Sequence, residues 1–596
     1  MCGFLGLIGN NVNHENFNFS LEKLSHRGPD NTKKIHSNDI SIGFKRLAIN
    51  DLSKNSNQPF DDHSAILAFN GEIYNHNDIN LNNNYNVKNN SDALVLFSLI
   101  KEKMEKSLDE INGMFSFAFY DKKSKTLFAA RDRFGEKPFY YSILNNGDLI
   151  FSSEIKAITA YVNQDFDLDL NQLCNYFKNS HVDTNKTIYQ KIYSLPPSHY
   201  LIYKKGNLEI KKYWKIDFKQ KHNFNYIDHK EKIKNLLFSA VEKQIQADVE
   251  VGIFLSGGID SSLILSIASK LKKKISTFSY GFLDTDNELK QANELSLFYE
   301  TKHHAFDDKN VDYLNIITKM QNVFDEPFSD SSCLPLFLLS EKSSNYVKSV
   351  ITGDGGDEMF LGYSNWYSRI NEIKKYSKIN KIPFLNKFIN HSDSFNKSSI
   401  KKYLNLINHS KNDSELFNYS KSPFNYSELI KLGLLNEDTE KVNLSFPSTD
   451  LLSSFRIESI NSYLPGNILL KSDRCAMANS LELRSPFLDL NLVNSSFEIP
   501  NDHLYKNNQG KIILREILQE LGVPSNISKR KKRGFGAPVH RILSDKKVNE
   551  ALHDSLCNKN SKIFNYLNFS EVQKDIHNLN QKVWSYFNFD LWLNSR

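Results

Sequence analysis

The sequence has little with which to build a covalent framework. Its 596 residues include five cysteines: Cys2, Cys174, Cys333, Cys475 and Cys557, set singly along the chain with no Cys-x-x-Cys pair. An odd, scattered set argues against a disulfide scaffold and a thiolate zinc site, and points to a reducing cytoplasm. Long apolar runs are missing too. None approaches the roughly 18 residues needed to cross a bilayer, so no membrane partner is expected. Met1-Cys2-Gly3-Phe4 has no basic stretch ahead of an apolar segment, so no secretory signal is expected. Charge of one sign is also scarce. Lys and Arg number 75 against 69 Asp and Glu, a net +6, too thin over this length to draw nucleic acid. What remains, 40 % hydrophobic and 24 % charged residues, is the profile of a soluble globular chain. At about 100–200 residues per domain, it calls for at least two domains.

No internal repeat is present. In the first third, Ile66 to Phe69 before Asn70-Gly71, Met114 to Tyr120 before Asp121, and Thr126 to Ala130 read as strands between turns. The pattern changes after Tyr213-Trp214, where the polar stretch Lys219 to Asn225 has the character of a linker. Ile233, Leu236, Leu237, Ala240, Val241 and Ile245 then recur at helical spacing. A strand from Val249 to Leu255, a Gly-rich turn, a helical run from Ser262 to Leu271 and a strand from Ile275 to Tyr280 follow. Strand, loop, helix, strand is the signature of a parallel α/β sheet. The boundary is placed near Asp217, giving domains 1–216 and 217–596. The Asn-rich segment Asn77 to Asn90 and the Ser/Asn/Lys-rich segment Asn390 to Asn425 read as surface loops of biased composition.

Cys2 carries the first chemical signal. Once Met1 is removed, its thiol sits beside its own α-amine, and reference pKa values of about 8.5 and 7.7–8.0 allow proton exchange between them. Taken alone, Cys2 reads better as a small apolar residue entering a strand. The surroundings reverse that judgement. Asn70-Gly71-Glu72 follows a strand, where a turn can aim a side-chain amide and a backbone N–H at one point, as an oxyanion hole requires. Alone, Asn-Gly reads as a hairpin turn. Arg46 stands at the edge of the strand-like run Leu47-Ala48-Ile49, where a guanidinium can grip a carboxylate. Asp92 can pair with a substrate ammonium or cap the helix from Ala93 to Ile100.

The second half carries phosphate chemistry. Ser256-Gly257-Gly258-Ile259-Asp260-Ser261-Ser262 lies between a strand and a helix, where glycines and a helix N-terminus form an anion cradle. The loop lacks the Gly-Lys-Ser/Thr of a Walker motif, and Asp260 adds a carboxylate suited to Mg²⁺. In Thr352-Gly353-Asp354-Gly355-Gly356-Asp357-Glu358, three carboxylates among glycines would repel one another unless a cation or substrate group lies between them. Lys471, in a fairly apolar stretch, can neutralise a leaving pyrophosphate or be an exposed helix charge. The basic run Lys529 to Arg533 reads as a loop beside an anionic nucleotide. His303-His304 has no third ligand nearby, so no metal is assigned to it.

The motifs together resemble a known family. Met1-Cys2-Gly3, His26-Arg27-Gly28-Pro29-Asp30, Arg46-Leu47-Ala48-Ile49, Asn70-Gly71-Glu72-Ile73-Tyr74-Asn75 and Ala130-Arg131-Asp132-Arg133-Phe134-Gly135 occur in order. This set resembles the class II glutamine amidotransferase domain, and the later loops resemble the synthetase domain of glutamine-hydrolysing asparagine synthetases, of the ATP-pyrophosphatase group. The resemblance implies an α+β N-terminal-nucleophile hydrolase sandwich of four layers with antiparallel sheets. It implies a following α/β parallel-sheet domain of the adenine-nucleotide α-hydrolase-like type, with extra helices.

The resemblance also implies roles. Cys2 attacks glutamine through a thioester, and Asn70 and Gly71 stabilise the oxyanion. Arg46, Glu72 and Asp92, with the backbone of Leu47, Ala48, Ile49 and Asn50, hold glutamine. ATP, as substrate, lies at Leu255, Ser256, Gly257, Gly258, Asp260, Ser261, Tyr280, Thr352 and Gly353. Asp260 and Asp357 hold Mg²⁺, Lys471 contacts phosphate, and Asp354 occupies a position linked to adenylate formation. Tyr280 stands where the family often has a small apolar residue, and Asp354 where many members carry Glu. The implied activity is cytoplasmic, ATP-driven amidation of aspartate by ammonia led through an internal tunnel. The partners are small molecules, and a homodimer stays open. The alternatives are amidation of another carboxylate, such as a sugar acid of a surface polysaccharide, and a silent glutamine or nucleotide sensor. Glu482 and Arg484 are read either as acceptor contacts or as a structural ion pair.

Overall fold

The computed structural model describes residues 2–364, 366, 367, 416, 419–435 and 451–596, apart from 10, 11, 89, 165, 219–224, 273, 284–287, 531–533 and 535. Most of the linker stretch, most of the 390–425 segment and the last three residues of the basic run therefore lie outside the described residues.

The first half holds two antiparallel sheets. One has the order β10 (Tyr193–Ser194), β8 (Tyr140–Ile143), β9 (Leu149–Ser152), β1 (Cys2–Ile8), β3 (Ile40–Arg46), β2 (Asn31–His36). The other runs β12 (Asn207–Lys212), β11 (His199–Lys204), β7 (Thr126–Arg131), β6 (Gly113–Asp121), β5 (Ala65–Ile73), β4 (Phe60–Asp61). Successive side chains point to opposite faces of a strand, and that alternation builds the layers. Phe4, Ile42 and Phe44 meet Ile66, Ala68, Ala118 and Leu127 in a core between the sheets. Leu5 and Leu7 face the other way, onto Phe17, Leu21 and Ile158. Leu67, Phe69, Phe117 and Phe119 face the helix Asp92–Lys103 through Val95, Leu96 and Leu99. The result is helix, sheet, sheet, helix. Gly6 is required inside the sandwich, because a Cβ there would meet the Phe151 ring at 2.0 Å.

The second half is built on a parallel sheet ordered β15 (Lys302–Asp307), β14 (Ser276–Gly281), β13 (Val251–Phe254), β16 (Ser349–Ile351), β17 (Glu482–Arg484). β13 is buried along its whole length, as a central parallel strand covered on both faces should be. Helices Tyr226–Ile245 and Ile259–Leu271 pack beside it through Ile233, Leu237, Leu263 and Ile267.

Three readings change. Asn70-Gly71 is not a turn: both lie within β5, opposite Ser116 and Phe115 of β6. The absence of a Cβ at Gly71 lets the Met114 carbonyl close in, to 2.1 Å from where that atom would be. Arg46 ends β3 rather than preceding a strand, and Leu47 to Asn50 form the loop beyond it. Part of the Asn-rich segment is helical, His76–Asn83. It is anchored by buried Ile79, braced by the Asn83 amide on the Ile79 carbonyl, and closed by Asn84 in the left-handed region.

The halves share one interior. A single apolar cluster runs from Leu5 and Phe177 to Trp584 and Trp592 of the last helix. Leu47 and Ile49 pack on Met477. Beside them lies a buried ionic network in which Glu154 meets Arg27 at 2.9 Å, Arg474 at 3.0 Å and Lys156 at 3.1 Å. Burial alone would raise the Glu154 carboxyl, but Lys156, His26 and Arg474 hold it well below its ordinary range. A lowered carboxyl contributes stability above its unfolded pKa and loses it as pH falls through the folded one. Glu154→Gln is therefore expected to cost about 3–5 kcal/mol at neutral pH. That deficit should shrink below about pH 4, read as converging melting midpoints of variant and wild type between pH 7 and pH 3.

Candidate functional site

Two constellations form, one in each half. In the first, antiparallel pairing sets Cys2 directly opposite Arg46, and the sandwich brings Asn70 of the other sheet against the chain start. The Cys2 N–H donates to Asn70 Oδ1 at 3.0 Å. The other end of that amide, Asn70 Nδ2, is buried and has no acceptor among the described residues. A cavity beside it is lined by Cys2, Arg46, Leu47, Ile49, Asn50, Gly71, Glu72 and Asp92. Of the residues read as one pocket, only Ala48 and Asn70 are missing from this lining, and the Ala48 N–H is taken by Asp30 Oδ2 at 2.7 Å. Burial pushes the Cys2 thiol up, while the Leu47 backbone and Arg46 pull it down.

Two carboxylates face this cavity. Asp92 opens the helix Asp92–Lys103, whose cap is Ser91, and accepts from the N–H groups of Ile73 (2.9 Å) and Ala93 (2.8 Å). Glu72 accepts from Asn50 Nδ2 at 2.5 Å and meets Arg484 at 3.3 Å. Burial and the Asp92 charge raise Glu72 well above the usual range, and burial raises Asp92. An added cation would relieve both. Arg46, which lines the cavity, also has protein partners. Its terminal nitrogens bond the carbonyls of Asn50, Asp51 and Ser53 and the Asn57 amide, so the guanidinium is committed to shaping the loop.

The second constellation lies past the carboxyl ends of β13, β14 and β16, the usual place for ligands of open parallel sheets. Ser256-Gly257-Gly258 turns from β13 into the helix Ile259–Leu271. Gly257 has φ +67°, which favours glycine. The Ser261 hydroxyl accepts from the Ser256 N–H at 3.3 Å and fixes the loop. Leu255 is pinned to β14 by the Ser279 hydroxyl on its carbonyl, 2.6 Å. Tyr280, on β14, is buried with a hydroxyl that finds no partner among the described residues. The second glycine loop abuts the first. A Cβ at Gly353 or Gly356 would lie 2.8 Å from the Asp260 side chain.

The acidic trio of that loop is splayed rather than clustered. Asp354 accepts from the Ser472 hydroxyl at 2.7 Å and the Thr352 hydroxyl at 3.1 Å, and burial raises its carboxyl. Asp357 pairs with Lys511 at 2.6 Å. Glu358 accepts from the Tyr363 hydroxyl at 2.5 Å. Separate partners relieve the repulsion that the sequence implied for the three together.

Lys511 also pairs with Asp260. One ammonium therefore sits between the two carboxylates assigned to a metal, so these groups do converge on a cation. No group of three metal-ligating side chains occurs among the described residues. That donor set fits Mg²⁺, which is held by one or two carboxylates and takes its other ligands from phosphates and water. Lys471 lies on the helix Leu470–Met477, entered through the wide π-turn Ser459–Leu469, and donates to Ser332 Oγ at 2.6 Å beside Asp330 at 3.5 Å. The His303 ring bonds Thr277 Oγ1 at 2.9 Å within the sheet, in keeping with a structural role.

Sequence reasoning missed Lys511, Ser332, Asp330, Ser472 and Arg530. Arg530 reaches the Gly257 carbonyl at 3.1 Å. Only its place in the basic run hinted at this, and Lys511 carried no local signal at all. Glu482 and Arg484 form a buried ion pair at 2.6 Å. The pair faces Glu72 of the first constellation through Arg484, and the carbonyls of Gln244 and Gln246 hold its guanidinium at 2.8 and 2.7 Å.

Comparisons with known proteins agree with this layout. A glutamine amidotransferase domain model matches residues 1–214 and an asparagine synthase model residues 232–594. Asparagine synthetase [glutamine-hydrolyzing] 1 of Bacillus subtilis is 29 % identical over 91 % of this chain and 88 % of its own. Asparagine synthetase [glutamine-hydrolyzing] 3 of the same organism is 28 % identical over 96 % and 93 %. A putative asparagine synthetase [glutamine-hydrolyzing] 2 of Methanocaldococcus jannaschii is 33 % identical over 63 % and 79 %.

Lys511→Met leaves Asp260 and Asp357 without the cation between them. The expected cost is about 3–5 kcal/mol, seen as a lower melting midpoint that millimolar Mg²⁺ partly restores. A midpoint unchanged from wild type would show that the ammonium does not hold the two loops together.

Proposed function

The chain belongs to the asparagine synthase family, and from that membership we propose that it makes asparagine from aspartate, glutamine and ATP in two coupled half-reactions. One observation carries the first half-reaction: Asn70 binds the Cys2 N–H at 3.0 Å through Oδ1 and leaves Nδ2 buried and unanswered. With Met1 removed, the α-amine of Cys2 takes the place of that N–H and accepts the thiol proton. The thiolate attacks the side-chain carbonyl of glutamine. Asn70 Nδ2 and the Gly71 backbone stabilise the oxyanion. Collapse breaks the C–N bond, ammonia leaves with the proton returned by the amine, and water cleaves the thioester to glutamate. Glu72 and Asp92 supply the negative charge for glutamine's ammonium, and the loop from Arg46 to Asn50 borders its carboxylate.

In the second half-reaction ATP lies on the Ser256–Ser261 loop, between Leu255, Tyr280, Thr352 and Gly353. Asp260 and Asp357 would hold Mg²⁺, which neutralises polyphosphate charge when bound. The side-chain carboxylate of aspartate attacks the α-phosphorus beside Asp354, the bond to pyrophosphate breaks, and Lys471 offsets the charge of the leaving group. Ammonia then attacks the acyl carbon with its lone pair, AMP departs, and a proton is lost. The acidic group and hydroxyl beside Lys471, Asp330 and Ser332, support a small polar acceptor. Free cysteines throughout support a reducing, cytoplasmic setting.

The test is an acceptor screen reading pyrophosphate release from ATP, Mg²⁺, glutamine and the purified chain. Release with aspartate is expected. Release with another acid and none with aspartate would transfer the reading to a different carboxylate, and no release with any acid would leave a sensor. Asn70→Ala is expected to lower kcat for glutamine by about 10²–10³-fold. Cys2→Ala should abolish glutamine use while synthesis from added ammonia persists. Removing divalent cations with EDTA should stop pyrophosphate release and leave glutamine hydrolysis running.

A further inference from the structure

We propose that Asp473 is a positioning residue for glutamine hydrolysis: from the synthetase half it fixes Cys2 through Arg27. The inference rests on the assignment of Cys2 as nucleophile. The connection is short and buried. Arg27 Nε donates to the Cys2 carbonyl at 3.0 Å, and its Nη1 and Nη2 donate to the two oxygens of Asp473 at 2.7 and 2.9 Å. Arg27 is fully buried and Asp473 is 3 % exposed. Such a fork sets the plane of a guanidinium as well as its place. Burial would raise the Asp473 carboxyl, but Arg27 and Lys137 hold it below its ordinary range, so it stays charged. Glu154 also touches Arg27 Nη1, at 2.9 Å, but by one oxygen that it shares with Arg474. Among the described residues, only Asp473 takes both arms of the fork.

The rest of the His26–Asp30 loop is held in the same manner. The Ser480 hydroxyl donates to the His26 carbonyl at 2.7 Å, and Lys348 donates to Asp30 at 2.8 Å. The same Asp30 Oδ2 accepts from the Ala48 N–H at 2.7 Å, and the Asp30 N–H donates to the Arg46 carbonyl at 2.9 Å. The loop thus grips the nucleophile and the glutamine pocket with one face and is gripped by the synthetase half on the other. Neighbouring residues of a helix point about 100° apart. Lys471 and Ser472 accordingly turn to Ser332 and Asp354, while Asp473 on the same turn reaches toward Cys2. A shift of about 1 Å in a reacting group can cost 10²-fold in rate, so loss of the fork should appear in kcat.

The experiment measures, on the full chain, kcat and KM for glutamine hydrolysis and the rate of ammonia-dependent pyrophosphate release. Asp473→Asn and Arg27→Lys, each of which breaks the fork, are expected to lower glutamine kcat roughly 10- to 100-fold, with KM within about threefold and the ammonia-dependent rate unchanged. Asp473→Glu keeps the charge and moves the carboxylate by one methylene. It is read in the same way and decides the matter if Asp473→Asn does not fold. Glutamine kcat within twofold of wild type, or equal loss of both rates, would overturn the inference. A wild-type chain unable to hydrolyse glutamine would take down the assignment of Cys2 itself, which separates the two failures.

Discussion

Arg27 is a fully buried cation, and the placement of the chain start depends on how it is neutralised. A buried charge left unpaired is strongly destabilising, so its partners must be in place whenever the chain is folded. One partner, Glu154, comes from its own half, and the other, Asp473, from the far half. The glutaminase sandwich therefore completes its electrostatics only when docked. The same holds at β17, where Arg484 serves Glu482 at its side and Glu72 of the first constellation. Docking here satisfies buried ions as well as covering apolar surface.

β17 makes this arrangement consequential. It pairs in parallel with β16, and the Arg484 carbonyl accepts the Thr352 N–H at 2.8 Å. Its backbone thus ends at the second glycine loop while its side chain ends in the first site. Between the two centres lie further charges. The Glu482 charge raises the Cys2 thiol, and Glu136, itself raised by burial, feels Asp132, Asp354 and Glu482. Glu482 is held down to about 2 by its cationic neighbours against the burial that would raise it. Pairing with Arg484 thus keeps that carboxylate ionised between the two constellations.

The parallel sheet was legible in the local order of strand, loop and helix, whereas the layered sandwich was implied only by the family resemblance, the residues themselves giving strands and turns. The β-like run Met114–Tyr120 before Asp121 gives β6, and the 3.6-residue spacing after Ile233 gives the helix Tyr226–Ile245. The Cys2, Asn70 and Asp260 constellations were legible as ordered motifs. Partners supplied from far along the chain were not. Lys511 is 251 residues from Asp260, and no pattern around it marks it as a counter-ion. Asn70-Gly71 misled for a physical reason. The dipeptide favours a turn, but nine ladder pairs with β6 carry the strand through it, and the missing side chain at Gly71 serves close packing instead. The carbonyls that the Arg46 donors find were not legible, because a motif specifies a residue type and not its partners.

The two sites resolve the same electrostatic problem in opposite ways. At the nucleotide loops two aspartates converge, and the chain provides its own cation, Lys511, so the loops stay together without a ligand. At the glutamine pocket Glu72 and Asp92 also converge, and Arg484 reaches only Glu72. Both carboxyls are raised by burial, so the pocket carries a standing deficit of positive charge. An incoming ammonium would remove that deficit, stabilising the ionised forms of both carboxylates while their pull holds the ligand. A ligand with a carboxamide but no ammonium would leave it in place. On the proposed assignment of Glu72 and Asp92 to the glutamine ammonium, preference for an amino acid over a simple amide would rest on this charge balance, before any contact with the reacting group.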